Sequence, residues 1–195
     1  TTDNGLDFDE GILLTSGNAN FFEADSNTAD NKTLNNNLAG DSDLNGLIPG
    51  YTTYDASTLT FDFELDEAGS VYFNYVFGSE EYNEYVGSSF NDVFGFFFNG
   101  SNVALIPGTS TAVAINNVNN SSYSGFYNDN DPSNGTPTPW DTEYDGFTDT
   151  FTVQIDGLSA GTTYSIKLAI ADAGDRVLDS GVFIEGGTFS TSIPL

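Results

Sequence analysis

Apolar and polar residues alternate along several segments of the chain, and Gly, Asn, Asp and Pro separate these segments. In residues 58–65 (TLTFDFEL) the large apolar side chains fall on one face of an extended chain and the polar side chains fall on the other. This period of two predicts a half-buried strand. Residues 71–77 (VYFNYVF) repeat the pattern, and the intervening EAG predicts a hairpin turn between the two strands.

Further strand signals follow at residues 93–98, 112–115, 147–155, 164–171 and 181–190. A set of about eight short strands predicts two packed antiparallel sheets. The predicted fold is therefore all-β, an antiparallel β-sandwich with long loops and at most one or two short helices, one of them at residues 18–25. Residues 26–50 form a long polar excursion. No repeat or linker divides the chain, so residues 1–195 are predicted to form a single domain.

The charge balance adds a requirement to this fold, because 29 acidic residues face three basic ones and give a formal net charge of -26. Self-repulsion on that scale opposes folding, yet 38% hydrophobic and 14% aromatic residues are too many for a disordered acidic tail. The folded chain therefore needs a cationic partner, and a hard ion such as Ca²⁺ suits Asp, Asn and Glu oxygens. The absence of His and Cys excludes the usual zinc and copper ligands, disulfides, and the commonest general base and thiol nucleophile.

The same charge excludes nucleic acid as a partner, since phosphate binding needs clustered Lys and Arg, and it disfavours an anionic membrane surface. The chain has no apolar run of about 18 residues and no signal peptide, so direct membrane insertion is not expected. The first residue is Thr1, which suggests a segment of a longer protein. The composition is typical of a module of a bacterial surface or secreted protein that depends on calcium instead of disulfides.

Residues 116–144 differ from the rest, because turn-forming residues dominate there and five aromatic residues are interspersed among them. Loops longer than about 15 residues tend to be functional or disordered. The aromatic content predicts an ordered loop, which either lines a site or packs to close one end of the sandwich. The candidate walls for a ligand side chain, in this loop and next to SEEY, are Tyr82, Tyr85, Tyr127 and Trp140.

Three clusters of acidic residues are candidate calcium sites. The first, DSDLNG at residues 41–46, matches the first half of an EF-hand loop through Asp41 and Asp43. The twelfth loop position is Thr52, where the motif needs Glu, and flanking helices are absent, so this is not an EF-hand. The segment is either a calcium turn completed by other parts of the fold or a metal-free Asx turn.

The second cluster joins SEEY and FND, each at the edge of a predicted strand, and contributes Glu80, Glu81, Asn91 and Asp92. If the two strands are neighbours, their ends bring these side chains together. Carboxylates beside a core are costly unless a positive group meets them, so this cluster also predicts an ion.

The third cluster lies in IADAGDRVLDS, which places Asp172, Asp175 and Asp179 in a short loop between two apolar strands. Like charges this close repel one another unless an ion or Arg176 lies among them. One arginine cannot serve all three. The alternative is that these acids are solvated loop residues.

An enzymatic function requires more than these acids. Paired carboxylates such as Glu80 with Asp92, or Asp172 with Asp175, can in principle hydrolyse glycosides, but in so acidic a chain such pairs are weak evidence. No His supports a triad, and neither a G-x-S-x-G elbow nor a phosphate-binding Gly-Lys loop is present. We therefore predict that the protein is not an enzyme.

The motifs SEEY, FND, DGFT and IADxGDxxLDSxVF, in that order, resemble the bacterial choice-of-anchor L domain over essentially the whole chain. Within that family the chain is similar to the peptide-binding domains of long calcium-dependent RTX adhesins, among them that of a marine ice-binding bacterium. One departure is Gly181, where Ala or another small residue is expected.

This resemblance implies a β-rich domain near the distal end of a type I secreted adhesin at the cell surface, with a role in biofilms. There it binds short, C-terminal peptide segments of proteins on other cells, with Ca²⁺ in the site, and as an isolated domain we expect it to be monomeric. The calcium ligands that the matching motifs imply are Glu80, Glu81, Asn91, Asp92, Asp172, Asp175 and Asp179, together with Asp41 and Asp43.

Two alternatives stay open. Trp140 and the loop tyrosines would also suit a calcium-dependent carbohydrate-binding module of the same kind of adhesin, since sugar faces stack on exposed rings. A purely structural spacer would bury every ion and bind no ligand.

Overall fold

Antiparallel strands make up most of the regular structure in a computed structural model that describes residues 6, 8, 10–22, 26–135 and 140–194. The described residues also contain one α-helix (α1, Ser42–Leu47) and two 3-10 helices, at Ala19–Phe22 and Ser124–Phe126. No helix in this part of the chain has the length and apolar character needed to cross a membrane. The strands are β1 Gly11–Thr15, β2 Thr53–Phe63, β3 Gly69–Ser79, β4 Val93–Phe98, β5 Ser101–Asn102, β6 Tyr127–Asp129, β7 Gly146–Thr148, β8 Phe151–Leu158, β9 Tyr164–Ala173 and β10 Ser180–Glu185.

These strands form two sheets that pack face to face. Sheet A has the order β1-β10-β3-β7-β6, and β8 also pairs with β3, whereas sheet B has the order β2-β9-β4-β5. Every strand pair in both sheets is antiparallel. The predicted all-β sandwich with long loops and few short helices is confirmed.

Aromatic rings from the two sheets fill the core between them. The ring centroid of Tyr75 on β3 lies 4.9 Å from that of Phe94 on β4, and the ring of Phe73 lies 4.8 Å from that of Phe96. Strand β3 is buried on both faces from residue 71 to its end, which explains its nearly continuous apolar sequence. Strand β2 lies at the edge of sheet B and alternates half-buried and exposed residues from residue 58 onward, as its sequence predicts.

The prediction of a hairpin between β2 and β3 is wrong. Strand β2 pairs with β9 in sheet B, whereas β3 pairs with β10, β7 and β8 in sheet A. Residues 64–68 therefore carry the chain from one sheet to the other. Turn-forming residues mark the place where a strand ends, but they do not specify which sheet the next strand joins.

Other elements differ from prediction at their bounds. The single strand predicted at residues 147–155 is two strands, β7 and β8, which both pair with β3. Residues 112–115 make only isolated bridges instead of a strand. The helix predicted at residues 18–25 is a 3-10 helix over Ala19–Phe22, and residues 23–25 lie outside the described part of the chain. Strands β1 and β6 had no clear sequence signal.

Candidate functional site

Four adjacent strands of sheet A end in a row of acidic and amide side chains. Ser79 at the end of β3 pairs with Gly146 on one side and with Ser180 on the other. One residue further along this register, Glu80 lies between Asp145 and Asp179, and its backbone N–H donates to Asp179 O at 3.1 Å. Asn130 extends the row beyond β6, because its N–H donates to Asp145 O at 2.8 Å. Side chains at directly opposed positions share one face of a sheet. The members of the row are Asp179, Glu80, Asp145 and Asn130.

Sheet B brings two further acids together at the ends of its central strands. Val93 on β4 pairs with Ala171 on β9, so the next register step places Asp92 opposite Asp172. The N–H of Ala173 donates to Asp92 Oδ1 at 2.8 Å and confirms this placement. The acids of SEEY and FND therefore belong to opposite sheets. The sequence analysis expected them to meet if their strands were neighbours, and these strands are not neighbours. They approach one another across the end of the sandwich, where the charge of Glu81 raises the pKa of Asp92 further than burial alone.

These carboxylates are buried without a basic partner. Apart from Asp55, which pairs with Arg176, six acidic residues are at most 1% exposed. The three basic side chains of the chain pair with other acids: Lys32 with Glu143, Lys167 with the two acids of α1, and Arg176 with Asp55. An ionised carboxylate that is buried and unpaired costs several kcal/mol, of the order of the net stability of a domain. The six buried acids are Glu80, Glu81, Asp92, Asp145, Asp172 and Asp179.

Several oxygens of this group accept no hydrogen bond. Both oxygens of Asp172, one oxygen of Glu81 (Oε2), one of Glu80 (Oε1) and one of Asp145 (Oδ2) are buried and have no donor. Asp92, by contrast, accepts from Ala173 N at 2.8 Å and from Ser180 Oγ at 2.6 Å. The unsatisfied acceptors therefore concentrate at four of the six acids, and the site has oxygen ligands available for a cation.

Burial is the main cause of the raised pKa values in this group. Burial, followed by the charge of Asp92, raises the pKa of Asp172 to about 10, although the nearby Ser16 hydroxyl offsets part of the rise. Burial, followed by the charges of Asp175 and Asp172, raises the pKa of Glu81 to about 9. Without a cation these groups hold protons at neutral pH. A divalent ion would compete with those protons for the same oxygens.

The polar excursion at residues 26–50 supplies hydrogen-bond donors to the buried acids. Alternate backbone N–H groups point to one side, so that Lys32 N donates to Glu80 Oε2 at 2.9 Å and Leu34 N donates to Asp179 Oδ2 at 2.9 Å. The N–H groups of Asn36 and Leu38 donate to the carboxylate of Asp55. We name residues 32–38 the strap. No sequence pattern marks the strap, because its contacts use backbone groups that every residue carries.

Asp41 and Asp43 do not join the buried acids. Asp41 caps helix α1, because its Oδ1 accepts from Asp43 N at 2.9 Å and from Leu44 N at 3.2 Å. Lys167 Nζ lies 2.6 Å from Asp41 Oδ2 and 2.8 Å from Asp43 Oδ2. DSDLNG was interpreted either as a calcium turn or as a metal-free Asx turn. This geometry favours the metal-free turn, which continues into a short helix.

Two other predicted ligands have neighbours in the loops. Asn91 Oδ1 accepts from Asn116 N at 2.9 Å and so holds the start of the long aromatic loop. Asp175 is half-buried, and its Oδ1 accepts from Val177 N at 3.0 Å. Arg176 pairs with Asp55 at 3.6 Å and lies 4.6 Å from the ring centroid of Tyr54. It therefore forms no ion pair with the three acids of its own loop.

The predicted aromatic walls mostly pack inside the protein. Tyr82 is fully buried, and its hydroxyl donates to Val118 O at 2.6 Å. Tyr127 is half-buried against Tyr82, with ring centroids 4.8 Å apart, and Trp140 packs edge to face on Phe147 at 5.0 Å. Of the four candidates, Tyr85 alone is exposed, at 37%. The loop thus packs against the sandwich end, which was the second of its two interpretations.

A groove beside sheet B presents two aromatic rings that sequence analysis missed. It has a volume of about 540 Å³ and is lined by Tyr51, Tyr54, Ser89 and Gly174, among others. Tyr54 on β2 is the register partner of Asp172, so the groove runs next to the strand that carries this buried acid. The tyrosines had no motif to mark them, since only the sheet order places them beside Asp172.

The donor set suits a hard cation, although it is incomplete. The unsatisfied atoms are carboxylate oxygens, which Ca²⁺ prefers over nitrogen or sulfur. Among the residues that the structure describes, however, no three acidic side chains converge closely enough to form a metal site by themselves. Coordination at either sheet end therefore requires amide, hydroxyl, backbone or water oxygens, or an oxygen from a ligand.

Comparisons with known proteins give one match. No curated protein and no solved structure matches the chain. The family model described as the choice-of-anchor L domain matches residues 1–190, which is nearly the whole chain. Domains of this kind are generally extracellular and anchored at the cell surface. The chain therefore belongs to the choice-of-anchor L domain family.

Proposed function

We propose that this chain is a non-catalytic, calcium-dependent peptide-binding module of a bacterial surface adhesin, and that it binds short C-terminal peptide segments on other cells. The observation that carries the proposal is Asp172, which lies beside Asp92 and whose two buried oxygens accept no hydrogen bond, since the nearby Ser16 hydroxyl donates to Ser180 O at 3.3 Å instead. If Asp172 were protonated, the repulsion between Asp172 and Asp92 would be removed without a metal. An extracellular domain, however, is exposed to calcium, which competes with the proton for the same oxygens.

Asp172 and Glu81 would hold the ion, with Asp92 and Asp175 as the nearest further acids. A bound Ca²⁺ supplies positive charge and an open coordination position for the carboxylate of a peptide end. The neighbouring protein residues position the groups around the ion. Asp92 is fixed by Ala173 N–H and Ser180 Oγ, so its carboxyl group is held in place next to Asp172.

The groove next to β2 suits the peptide residues that precede such a carboxylate. Tyr51 is braced there, because its hydroxyl donates to Ser88 O at 3.2 Å, and Arg176 lies over the ring of Tyr54 at 4.6 Å. Two positioned rings provide apolar contact area at little cost in conformational entropy. Residues 51 and 54 are therefore the positions at which we expect side-chain selectivity.

The finer assignment to secreted RTX adhesins extends the family membership. A chain with 29 acidic residues, three basic residues and no Cys suits an environment that is rich in calcium and oxidising. Type I secretion, a position near the distal end of a long adhesin and a role in biofilms follow from the resemblance of the motifs and are part of this proposal.

The test is binding to a display library of peptides with free C-terminal carboxylates, in calcium and in EDTA, followed by titration of the selected peptides and of their amidated forms. We expect binding in calcium only, and loss of binding on amidation or in Asp172→Asn. The matched control is Asp62→Asn, an exposed acid on the edge strand β2, which should bind as the unmodified protein does. Calcium-independent binding, or equal binding of amidated peptides, would refute the proposal.

A carbohydrate ligand is the second candidate, and the exposed rings of Tyr85 and Tyr123, at 37% and 45%, favour it. The edge-to-face packing of Trp140 against Phe147 makes that residue less suitable for stacking on a sugar. Calcium-dependent hits on a glycan array that vanish in Tyr85→Ala, without any peptide binding, would select this candidate. Absence of both ligands would leave a structural spacer.

A further inference from the structure

A second group of unsatisfied oxygens lies in sheet A, away from Asp172. Glu80 and Asp145 occupy opposed positions just beyond the last pairs of β3 and β7, and both are fully buried. One oxygen of each is already used, because Glu80 Oε2 accepts from Lys32 N at 2.9 Å and Asp145 Oδ1 accepts from Asn27 Nδ2 at 2.6 Å. The other oxygens, Glu80 Oε1 and Asp145 Oδ2, have no donor.

Asn130 adds a third acceptor to this pair. Its side chain is fully buried, and its Oδ1 also accepts no hydrogen bond. The orientation of the amide is fixed, since Nδ2 donates to Thr142 O at 2.9 Å and to Tyr144 O at 3.1 Å. Its backbone N–H donates to Asp145 O, which keeps it next to the pair. Three buried oxygens therefore lack donors at neighbouring positions of three adjacent strands.

Protons, a buried water or a divalent cation can relieve such an arrangement. One proton shared between Glu80 and Asp145 would satisfy one oxygen of each acid, and only a second proton or a water would reach the amide oxygen of Asn130. A divalent cation attracts all three oxygens at once and leaves the hydrogen bonds from Lys32 N–H and Asn27 Nδ2 in place, because these donors prefer ionised acceptors. Two carboxylates with one amide oxygen are typical calcium ligands.

We propose that Glu80 Oε1, Asp145 Oδ2 and Asn130 Oδ1 form a second divalent-cation site, of the hard-oxygen class that selects Ca²⁺, separate from the site at Asp172 and Glu81. It does not conflict with the absence of three converging acids among the described residues, since only two of its ligands are acidic. The proposal does not depend on peptide binding.

The site would add to the hydrogen bonds that already join three segments here. Asn27 Nδ2 bridges Asp145 Oδ1 at 2.6 Å and Asn130 O at 2.9 Å, and Lys32 N at the start of the strap contacts Glu80. An ion there fixes the segment before the strap and the end of the aromatic loop on sheet A. Its role is to hold structure, whereas the Asp172 site lies opposite Tyr54, which lines the groove beside sheet B.

The first experiment counts calcium ions by equilibrium dialysis. Asp145→Asn and Glu80→Gln should each bind one ion fewer than the unmodified protein, and the double variant should also lose only one. Combining Asp145→Asn with Asp172→Asn should lose two. The control Asp149→Asn changes an exposed acid nearby and should lose none. Unchanged stoichiometry in both single variants would overturn the proposal, as would a combined variant that loses only one ion when Asp172→Asn alone also loses one. If Asp172→Asn alone loses none, the site at Asp172 is refuted and this one stands.

A second measurement locates the ion and does not need a count. Trp140 is the single tryptophan of the chain, and it packs on Phe147, two residues from Asp145. Terbium bound at this site should therefore emit under tryptophan excitation. We expect that emission to persist in Asp172→Asn and to fall at least several-fold in Asp145→Asn and in Glu80→Gln. Loss in Asp172→Asn alone would place the tryptophan-sensitised ion at the other site and overturn the assignment.

Thermal unfolding keeps the proposal testable if a variant binds calcium too weakly to count. In EDTA, Asp145→Asn removes one of two opposed buried acids and should unfold at a higher temperature than the unmodified protein. In saturating calcium the order should reverse. The same order in both conditions would show that no ion uses Asp145.

Discussion

Removing calcium should reverse the usual dependence of stability on pH in this domain. We predict that in EDTA the protein becomes more stable as the pH falls from about 8 to about 6. The ordinary pKa values of Asp172 and Glu80 are 3.8 and 4.5, and burial with neighbouring charges raises both to about 10 in the folded state. Above the ordinary values the unfolded chain releases these protons and the folded chain keeps them. Each rise in pH therefore favours unfolding until the folded pKa is passed.

The magnitude follows from the number of protons retained. The acids form two groups, Glu80 with Asp145 in sheet A, and Asp172 with Asp92 and Glu81 at the end of sheet B. Acids this close titrate as a unit, so we count one retained proton for each group. Two protons give about 2.7 kcal/mol per pH unit, or about 5 kcal/mol between pH 8 and pH 6. Since each kcal/mol shifts the midpoint of a domain of this size by about 2–4 °C, the expected rise is about 10–20 °C.

The assay is thermal unfolding followed by circular dichroism at constant ionic strength, in EDTA and in saturating calcium. Exposed acids with ordinary pKa values stay ionised in both states from pH 6 to pH 8, so the large net charge does not contribute to the slope. In calcium the slope should be flat or of opposite sign, because an ion binds the deprotonated acids. The stabilisation by calcium should therefore be larger at pH 8 than at pH 6.

A midpoint in EDTA that stays constant or falls between pH 8 and pH 6 would refute this reasoning. It would mean that the buried acids are ionised without a metal, and hence that water or a rearranged loop solvates them. A matched variant separates the two groups. Because burial alone still raises the pKa of Glu80 when Asp145 is removed, the double variant Glu80→Gln with Asp145→Asn is the one that should remove about half of the slope in EDTA and leave the remainder to the group around Asp172.

Three further outcomes test individual contacts. Lys167→Met should destabilise the domain by about 1 kcal/mol in urea unfolding, without changing the number of calcium ions bound, because the two acids of α1 that it pairs with lie apart from the buried site. Gly181→Ala should cost about 1–3 kcal/mol, since a Cβ there would lie 1.9 Å from the hydroxyl oxygen of Tyr144, and Tyr144→Phe in the same chain should recover part of this loss. Tyr82→Phe should cost about 1 kcal/mol of stability, because its hydrogen bond to the backbone is lost. Peptide affinity should stay unchanged, because the ring is fully buried. A loss of affinity without a loss of stability would instead show that Tyr82 contacts the ligand.

The strands of this fold could be predicted from the sequence, whereas the pairing of those strands could not. Period-two alternation located β2 and β3, and further apolar segments located β4 and β9, because burial on one or both faces leaves a direct mark on composition. The turn EAG marked the end of β2 but could not show that β3 joins the opposite sheet. Sheet order depends on contacts between distant segments, such as β1 with β10, and no local pattern encodes them.

The same distinction explains the candidate site. SEEY, FND and the aspartates at and beyond the end of β9 were identified because acids adjoin apolar strands directly. Asp145 and Asn130 were not identified, since their positions beside Glu80 appear only when the register of β6, β7 and β3 is known. The strap carries no signal at all, because its donors are backbone N–H groups. Asp41 and Asp43 matched only the first half of an EF-hand loop, and both pair with Lys167, a residue 126 positions away from Asp41.

The position of SEEY between two aromatic strands has a physical explanation in this arrangement. Strands β3 and β4 are buried on both faces, so the residues that follow β3 and precede β4 remain inside the sandwich end before the chain can reach solvent. Acids at those places cannot be hydrated, and the three basic side chains are engaged elsewhere. Their charge must therefore be balanced by something that the chain does not contain, either protons or metal ions. If the ion is calcium, folding of the domain is coupled to the calcium concentration outside the cell, and the energy that stabilises the sandwich end also prepares the charge that a peptide carboxylate would meet.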